Sequence, residues 1–396
     1  MTERLYYHDS ALLEFDARIV ATGNNDKSYY TVLDCTAFYP TSGGQLYDTG
    51  ELGGIEIEEV IESDDGEIWH LSCEPTGEVG QILHGVVNHQ RRMANCQKHT
   101  AQHILSQAFV RLFGFETVSV HLGEEYAAIE LNELSVTNKQ WRKAEDVSNN
   151  IVFENHRVVV KFLEGEELTD IPLRKKPNRE GPLRIVNVGD FDYSACGGTH
   201  CRSTAEVGII KIIGTEKMRG HTLVKFLVGV QALKDYNRHF EITACLSREM
   251  TCSADDLVEK VGKLIVDNKK FRGQVGQLQK ELLPIRVQAL VNTARQFGKH
   301  NVILAVIHDL DSKLTSSLAI QVATQINGVS FLLIDGRLIV AKAPECGLHA
   351  GKFVKQLGAE CGLKGGGNEH LAQLGGADES FFEQYETVIE RLVANE

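Results

Sequence analysis

The chain has 396 residues, 42% of them hydrophobic and 24% charged, with a formal net charge of −13. That balance is globular, is long enough for two or three domains, and excludes a disordered or fibrous chain. The acidic excess argues against a protein that coats nucleic acid by bulk electrostatics, though not against a specific nucleic-acid partner held by local patches. No run of about 18 apolar residues exists, so no membrane span is expected. The N-terminus lacks the basic-then-apolar order of a secretory signal. Nine scattered cysteines read as the reduced thiols of a cytoplasmic protein, not as a disulfide framework.

Taken in chain order, residues 1–90 hold short β-type runs (ARIVATG, YYTVLDCTAFYP, GEIWHL) broken by Gly, Asp and Asn, and a tight Gly-rich loop at Pro40–Gln45. They predict a small β-barrel. From Arg91 to Phe113 there is no Pro or Gly, and Met93, Ile104, Leu105, Ala108 and Leu112 fall at helical spacing, with Gly114 placed to cap the C-terminus. Strands follow near Thr117–His121 and Tyr126–Leu131, an amphipathic helix over Asn138–Glu154, and a strand at Val158–Leu163. A basic loop then leads to a closing strand pair, Val207–Gly214 and Thr222–Gly229. Mixed strands with two helices predict an α+β domain over 91–235.

Residues 236–300 form a helical linker. Leu257, Leu264, Phe271, Leu278 and Ile285 recur every seven residues, and Val261, Asn268, Val275, Leu282 and Ala289 follow four residues behind. This is a heptad seam in which Pro284 would break or kink the helix, so two antiparallel helices or one kinked helix are expected, packed as a helical hairpin or as a coiled coil supporting a homodimer. Residues 301–396 read as strand, helix and strand pair, then a Gly-rich stretch and a final helix, predicting a separate α/β domain. The fold class is α+β overall.

His99 and His103 lie at i and i+4 on the predicted helix, on one face and within reach of one ion. Such a pair alone is a weak signal. Cys196-Gly197-Gly198-Thr199-His200 adds a thiolate and an imidazole four residues apart, with two glycines that let the loop fold round an ion. Together His99, His103, Cys196 and His200 form a borderline-soft donor set suited to Zn2+. Whether that ion is structural or catalytic is left open by the spacing.

The words FYPTSGGQLYDTG, KHTAQHIL, VHLGEEYAAIEL and CGGTH resemble the editing domain of alanyl-tRNA synthetases, and match best the free-standing AlaX-type alanyl-tRNA editing proteins. AGKFVKQLGAECGLKGGGNEHLAQLGG resembles the DHHA1 domain that ends alanyl-tRNA synthetase. The resemblance covers nearly the whole chain, in order. It implies a zinc-dependent, ATP-independent aminoacyl-tRNA deacylase acting in trans on mischarged tRNA(Ala), carrying Ser first and Gly second. No room is left for an aminoacylation core, so hydrolysis without charging is expected.

Ester hydrolysis needs a positioned water and stabilisation of the oxyanion. A bound zinc can lower the pKa of water, polarise the carbonyl or hold the substrate amino group. No HExxH is present, so the usual metalloprotease glutamate is missing. Related editing domains often carry Thr at the helix position occupied here by Gln102, which makes Gln102 the first candidate for positioning substrate or water. His121 and Gln45 are further catalytic candidates, and Gln102 or Thr100 would read a serine hydroxyl. Arg174, Lys175, Lys176, Arg179 and Arg184 are expected in one basic loop before CGGTH, as candidates for acceptor-stem phosphates. Lys352, Lys364, Gly365, Gly366 and Gly367 are candidates for a confined tRNA contact in the C-terminal domain. Two rival readings are a DHH-type phosphoesterase, which lacks its DHH tripeptide here, and a non-catalytic, zinc-stabilised tRNA-binding protein.

Overall fold

The computed structural model describes residues 2–24, 28–168, 171–175 and 181–395. The chain divides into two compact units, Met1–Cys245 and Leu246–Glu396. All nine cysteines are unpaired. No helix among the described residues is long and apolar enough to cross a membrane.

The first unit begins with a seven-stranded antiparallel sheet. Its edge strands, Ile55–Ile57 and Glu59–Glu62, are separated by one residue. The two ends of the sheet therefore meet, and it curls almost shut around Phe15, Ile19, Leu33, Phe38, Leu52, Ile57, Val60 and Ile68. The strand Glu14–Asn24 serves both halves: its first five residues pair with Ile82–Val87 and its later ones with Tyr29–Leu33. Alternating burial along it marks the inner face.

Helix α1, His89–Phe113, runs on from this sheet. Asn88 caps it by accepting from the Arg91 N–H at 3.0 Å, and Gly114 ends it at φ +71°. A buried ion pair locks α1 to the sheet: Arg92 binds Asp48 at 2.6 Å and also donates to the carbonyls of Ser10 and Ala37. Helix α2, Asn138–Phe153, starts in a capping box on Thr137 and Gln140. Both helices pack on a four-stranded sheet built from Thr117–Leu122, Ala127–Leu131, Thr222–Val228 and Ile210–Lys217. A three-stranded sheet, Val158–Leu163, Leu183–Val188 and Asp192–Ala195, delivers the CGGTH loop. Helix α3, Gly229–Met250, ends this region.

In the second unit a six-stranded mixed sheet carries one parallel pair, His300–Ile307 with Val329–Ile334. Helix α4, Leu257–Val291, and α5, Ser312–Gln325, cover one face, while α6, Ala350–Cys361, and α7, Phe381–Ala394, cover the other. The triglycine Gly365–Gly367 is one of the sheet's two edge strands. Its composition follows from crowding. A Cβ on Gly365 would meet the Gln373 carbonyl at 2.4 Å, and one on Gly367 would meet Ala372 Cα at 2.4 Å.

Of the two arrangements left open for the helical linker, the break at Pro284 is not the one found. Residues 257–291 form one helix that continues through Pro284. Its buried residues are Leu283 and Val287, which pack with Leu318 and Val322, on a face offset from the heptad seam. Leu264, Phe271, Leu278 and Ile285 are 51–67% exposed within the single chain. The heptad period describes a surface this chain does not cover with its own core.

Candidate metal centre

His99 and His103 project from one face of α1, their ring centroids 5.2 Å apart. The strand Asp192–Ala195 brings Cys196 and His200 against them, and the ligand atoms of all four residues lie within 4.8 Å of one another. The Cys196 sulfur is 3.3 Å from His99 Nε2 and 3.4 Å from His200 Nε2. Each ring is held from behind through Nδ1: His99 by Gln45 Oε1 at 2.8 Å, His103 by Asp192 Oδ2 at 3.0 Å, His200 by Thr100 Oγ1 at 3.1 Å. With every Nδ1 engaged outward, three Nε2 atoms and one sulfur are left to converge. That arrangement fits one tetrahedral zinc ion and an outer shell that fixes the tautomers.

The loop is shaped for this closeness. A Cβ on Gly198 would lie 2.1 Å from His99 Cε1. Arg184, buried in the strand Leu183–Val188, donates to the Cys196 and Gly198 carbonyls at 2.6 and 3.0 Å and to the Tyr7 carbonyl at 3.0 Å. Burial by itself would push the Cys196 thiol up, but His99 and His200, with hydrogen bonds from His103 and His200, hold it well below the usual thiol range. That direction favours the thiolate, the form that binds a metal. Asp192 is buried too, which would raise its pKa. The hydrogen bond from His103, with the charges of His103 and Arg174, keeps it below the usual carboxylate range.

A cleft of about 590 Å³ opens over the cluster, lined among others by His99, His103, Cys196, Gln102, Tyr39, Thr117, Arg174 and Lys175. Gln102 faces it, with its amide nitrogen donating to Ser106 Oγ at 2.9 Å, and Thr117 bonds the same oxygen at 2.7 Å.

Other expected site residues are placed differently. Gln45 is fully buried behind His99, where it also receives the Thr199 N–H at 3.1 Å; it holds a ring and a loop and does not line the cleft. His121 turns away from the cleft towards Gly123 and Tyr126, because alternation along its strand gives the inner side to Val120. Thr100 Oγ1 is occupied by His200 and by the Cys201 N–H at 3.1 Å, so it is not free to read a substrate. Arg184 belongs to a buried strand and not to the basic loop. Lys175 is exposed at the cleft; Lys176 and Arg179 lie outside the described residues. Lys352 and Lys364 are exposed beside α6 and the triglycine edge. Asp192 is a contributor that spacing does not reveal, since it acts on His103 from another element; Ser106 lies one turn from Gln102 on α1 and was overlooked.

The four candidate ligands thus lie buried between α1 and the Cys-Gly-Gly-Thr-His loop, as a group that could hold a metal ion. Residues 183–222 match the family described as "Threonyl and Alanyl tRNA synthetase second additional domain". The chain is 30% identical over 385 residues to the alanyl-tRNA editing protein AlaX-L of Pyrococcus horikoshii, covering 94% of each. It is also 30% identical to the alanine–tRNA ligase of Methanosarcina acetivorans, covering 95% of this chain but 42% of that enzyme's length. In solved structures, 26% of the chain is similar to the C-Ala domain of Aquifex aeolicus alanyl-tRNA synthetase, with a TM-score of 0.23 and 16% identity. This chain belongs to the family of AlaX-type alanyl-tRNA editing proteins.

Proposed function

We propose that this chain is a zinc-dependent deacylase that cleaves the aminoacyl ester of mischarged tRNA(Ala), with Ser-tRNA(Ala) the principal substrate and Gly-tRNA(Ala) a second one. The observation that carries the reading is the convergence of three imidazole Nε2 atoms and one sulfur at the floor of an open cleft. A zinc ion held by His99, His103, Cys196 and His200 would supply Lewis acidity. The residues around it do the rest. Gln102 lines the cleft with its amide nitrogen anchored on Ser106, so its amide oxygen is the atom that would accept a hydrogen bond from a serine hydroxyl or a water. Such a contact favours serine over alanine, because alanine would leave the acceptor unpaired.

Lys175 at the cleft rim is suited to a phosphate near the 3′ end of the tRNA. In the second unit Lys352, Lys364 and the Gly365–Gly367 edge are suited to a shape-reading contact with folded RNA, a DHHA1-like role. The exposed seam of α4 supports a homodimer through residues 253–297, and the absence of paired cysteines suits a cytoplasmic setting.

The test is deacylation of Ser-tRNA(Ala) by the purified full chain, before and after chelation and after zinc is restored. The expected result is loss of hydrolysis on chelation and recovery with zinc. A chain that binds tRNA(Ala) but releases no serine in any metal state would establish the non-catalytic, zinc-stabilised tRNA-binding reading instead.

A further inference from the structure

Arg174 carries a cation into the cleft, and its neighbourhood gives that cation a specific task. Its backbone N–H donates to the Tyr193 carbonyl at 2.9 Å, which fastens residue 174 alongside the strand Asp192–Ala195. Its guanidinium then reaches two groups. Nη1 donates to the main-chain carbonyl of His103 at 2.9 Å, and Nε lies 3.5 Å from Asp192 Oδ1. Only 15% of the side chain is exposed.

Asp192 is fully buried. Its Oδ2 accepts from His103 Nδ1 at 3.0 Å and from Ser194 Oγ at 2.9 Å, whereas Oδ1 makes no hydrogen bond and faces Arg174. A carboxylate in that position requires a compensating cation close by. One planar guanidinium thus touches His103 from both ends, directly at its backbone carbonyl and through Asp192 at its ring. A lysine could supply the charge, but it has no rigid fork to span both contacts. Lys175, next in the chain, is exposed at the rim and is free for a phosphate.

We infer that Arg174 is a positioning residue for the metal centre: it clamps Asp192 and the His103 backbone so that His103 Nε2 stays aimed at the ion. This rests on the metal reading above and differs from the phosphate contact expected of a basic loop. Removing a partner that orients a ligand from outside the coordination sphere lowers metal affinity about 10- to 100-fold.

The experiment uses the full chain in four forms: unaltered, Arg174→Gln, Arg174→Lys and Lys175→Gln. Zinc affinity is measured by competition with a chromophoric chelator, the ligand field by the visible spectrum of the Co2+-loaded protein, and affinity for uncharged tRNA(Ala) separately. Arg174→Gln should bind zinc about 10- to 100-fold more weakly and shift the cobalt spectrum, with tRNA affinity held. Arg174→Lys should fall between it and the unaltered chain. Lys175→Gln should keep zinc affinity and spectrum while losing tRNA affinity.

Unaltered zinc affinity and cobalt spectrum in Arg174→Gln, with weakened tRNA binding, would overturn the proposal and return Arg174 to the phosphate contacts. If Arg174→Gln does not fold, Arg174→Lys decides, since an unaltered spectrum there shows that the fork is dispensable. An unaltered chain that takes up neither zinc nor cobalt would defeat the metal reading itself, an outcome separate from either variant result.

Discussion

Two long helices of this chain are opposites. Helix α1 buries Arg92, Asn95, Lys98, His99, Thr100, Gln102, His103 and Ser106 among its apolar residues. Helix α4 carries apolar residues at a sustained seven-residue recurrence, yet it buries only Leu283 and Val287. Burying polar groups is costly unless each finds a partner, and in α1 they do. His99, Thr100, Gln102 and His103 are all bonded to residues of the sheets, of the CGGTH loop or of α1 itself. Regular apolar spacing, by contrast, says that a face wants cover and not that the chain supplies it. The difference teaches where to look for a site: at a helix whose polar residues are buried and satisfied from several elements.

The comparison can be broken or sharpened by experiment. The largest effect is expected where α4 is truly buried. Leu283→Ala should cost about 2–5 kcal/mol of stability, as large-to-small changes in closed cores do, measured by denaturant unfolding. If the loss were near zero, α4 would not be packed on α5 at all.

Next comes a buried polar group with no part in the metal centre. His70 is fully buried, its Nδ1 donating to the Thr31 carbonyl at 3.0 Å and its Nε2 bonded to Thr36 Oγ1 at 2.8 Å. Burial pushes its pKa down from 6.5 to about 4. Between those values the unfolded chain binds a proton that the folded one refuses. Stability should therefore fall as pH drops from 6.5 towards 4 and level off on either side. The loss is about 3 kcal/mol. His70→Gln should lack that component in unfolding measured at pH 7.5 and 4.5. An identical pH dependence in the variant would show that the ring titrates normally.

Gln45→Ala follows, with zinc affinity about 10- to 100-fold lower because His99 loses its Nδ1 partner. Affinity measured by chelator competition would settle whether Gln45 acts on the ring or only on its own turn. The smallest effect is expected on the α4 seam. Leu264→Asp should change the stability of a monomer by no more than about 0.5 kcal/mol. In the homodimer proposed above, the same change should lower the melting temperature and halve the mass seen by light scattering, and an unaltered mass would end that part of the proposal.

Much of this was legible beforehand, for reasons that differ by residue. His99 and His103 share a face at i,i+4 spacing, and Cys196 with His200 sits on a loop freed by two glycines, so local geometry alone pairs them. The helices α1 and α2 and the closing strand pair follow from period and caps. What spacing could not reveal is which partners arrive from distant elements. Asp192 meets His103 across 89 positions, Gln45 meets His99 across 54, and Arg184 reaches the Tyr7 carbonyl across 177. His121 looked like a site residue because strand register, which decides the face, is not set by its own neighbours. Pro284 left a break and a single helix both open, and the single helix is found: the residue falls late in the 35-residue α4, beside Leu283 and Val287, which pack on α5.

The central claim is that α1 and the CGGTH loop together hold one ion. It is tested most directly by zinc stoichiometry in the purified full chain and in Cys196→Ala, with the fold of each checked by circular dichroism. The account predicts about one zinc per chain in the first and a large loss in the second, because the sulfur is one of the four donors of a tetrahedral site. Equal zinc content in the two folded proteins would contradict it.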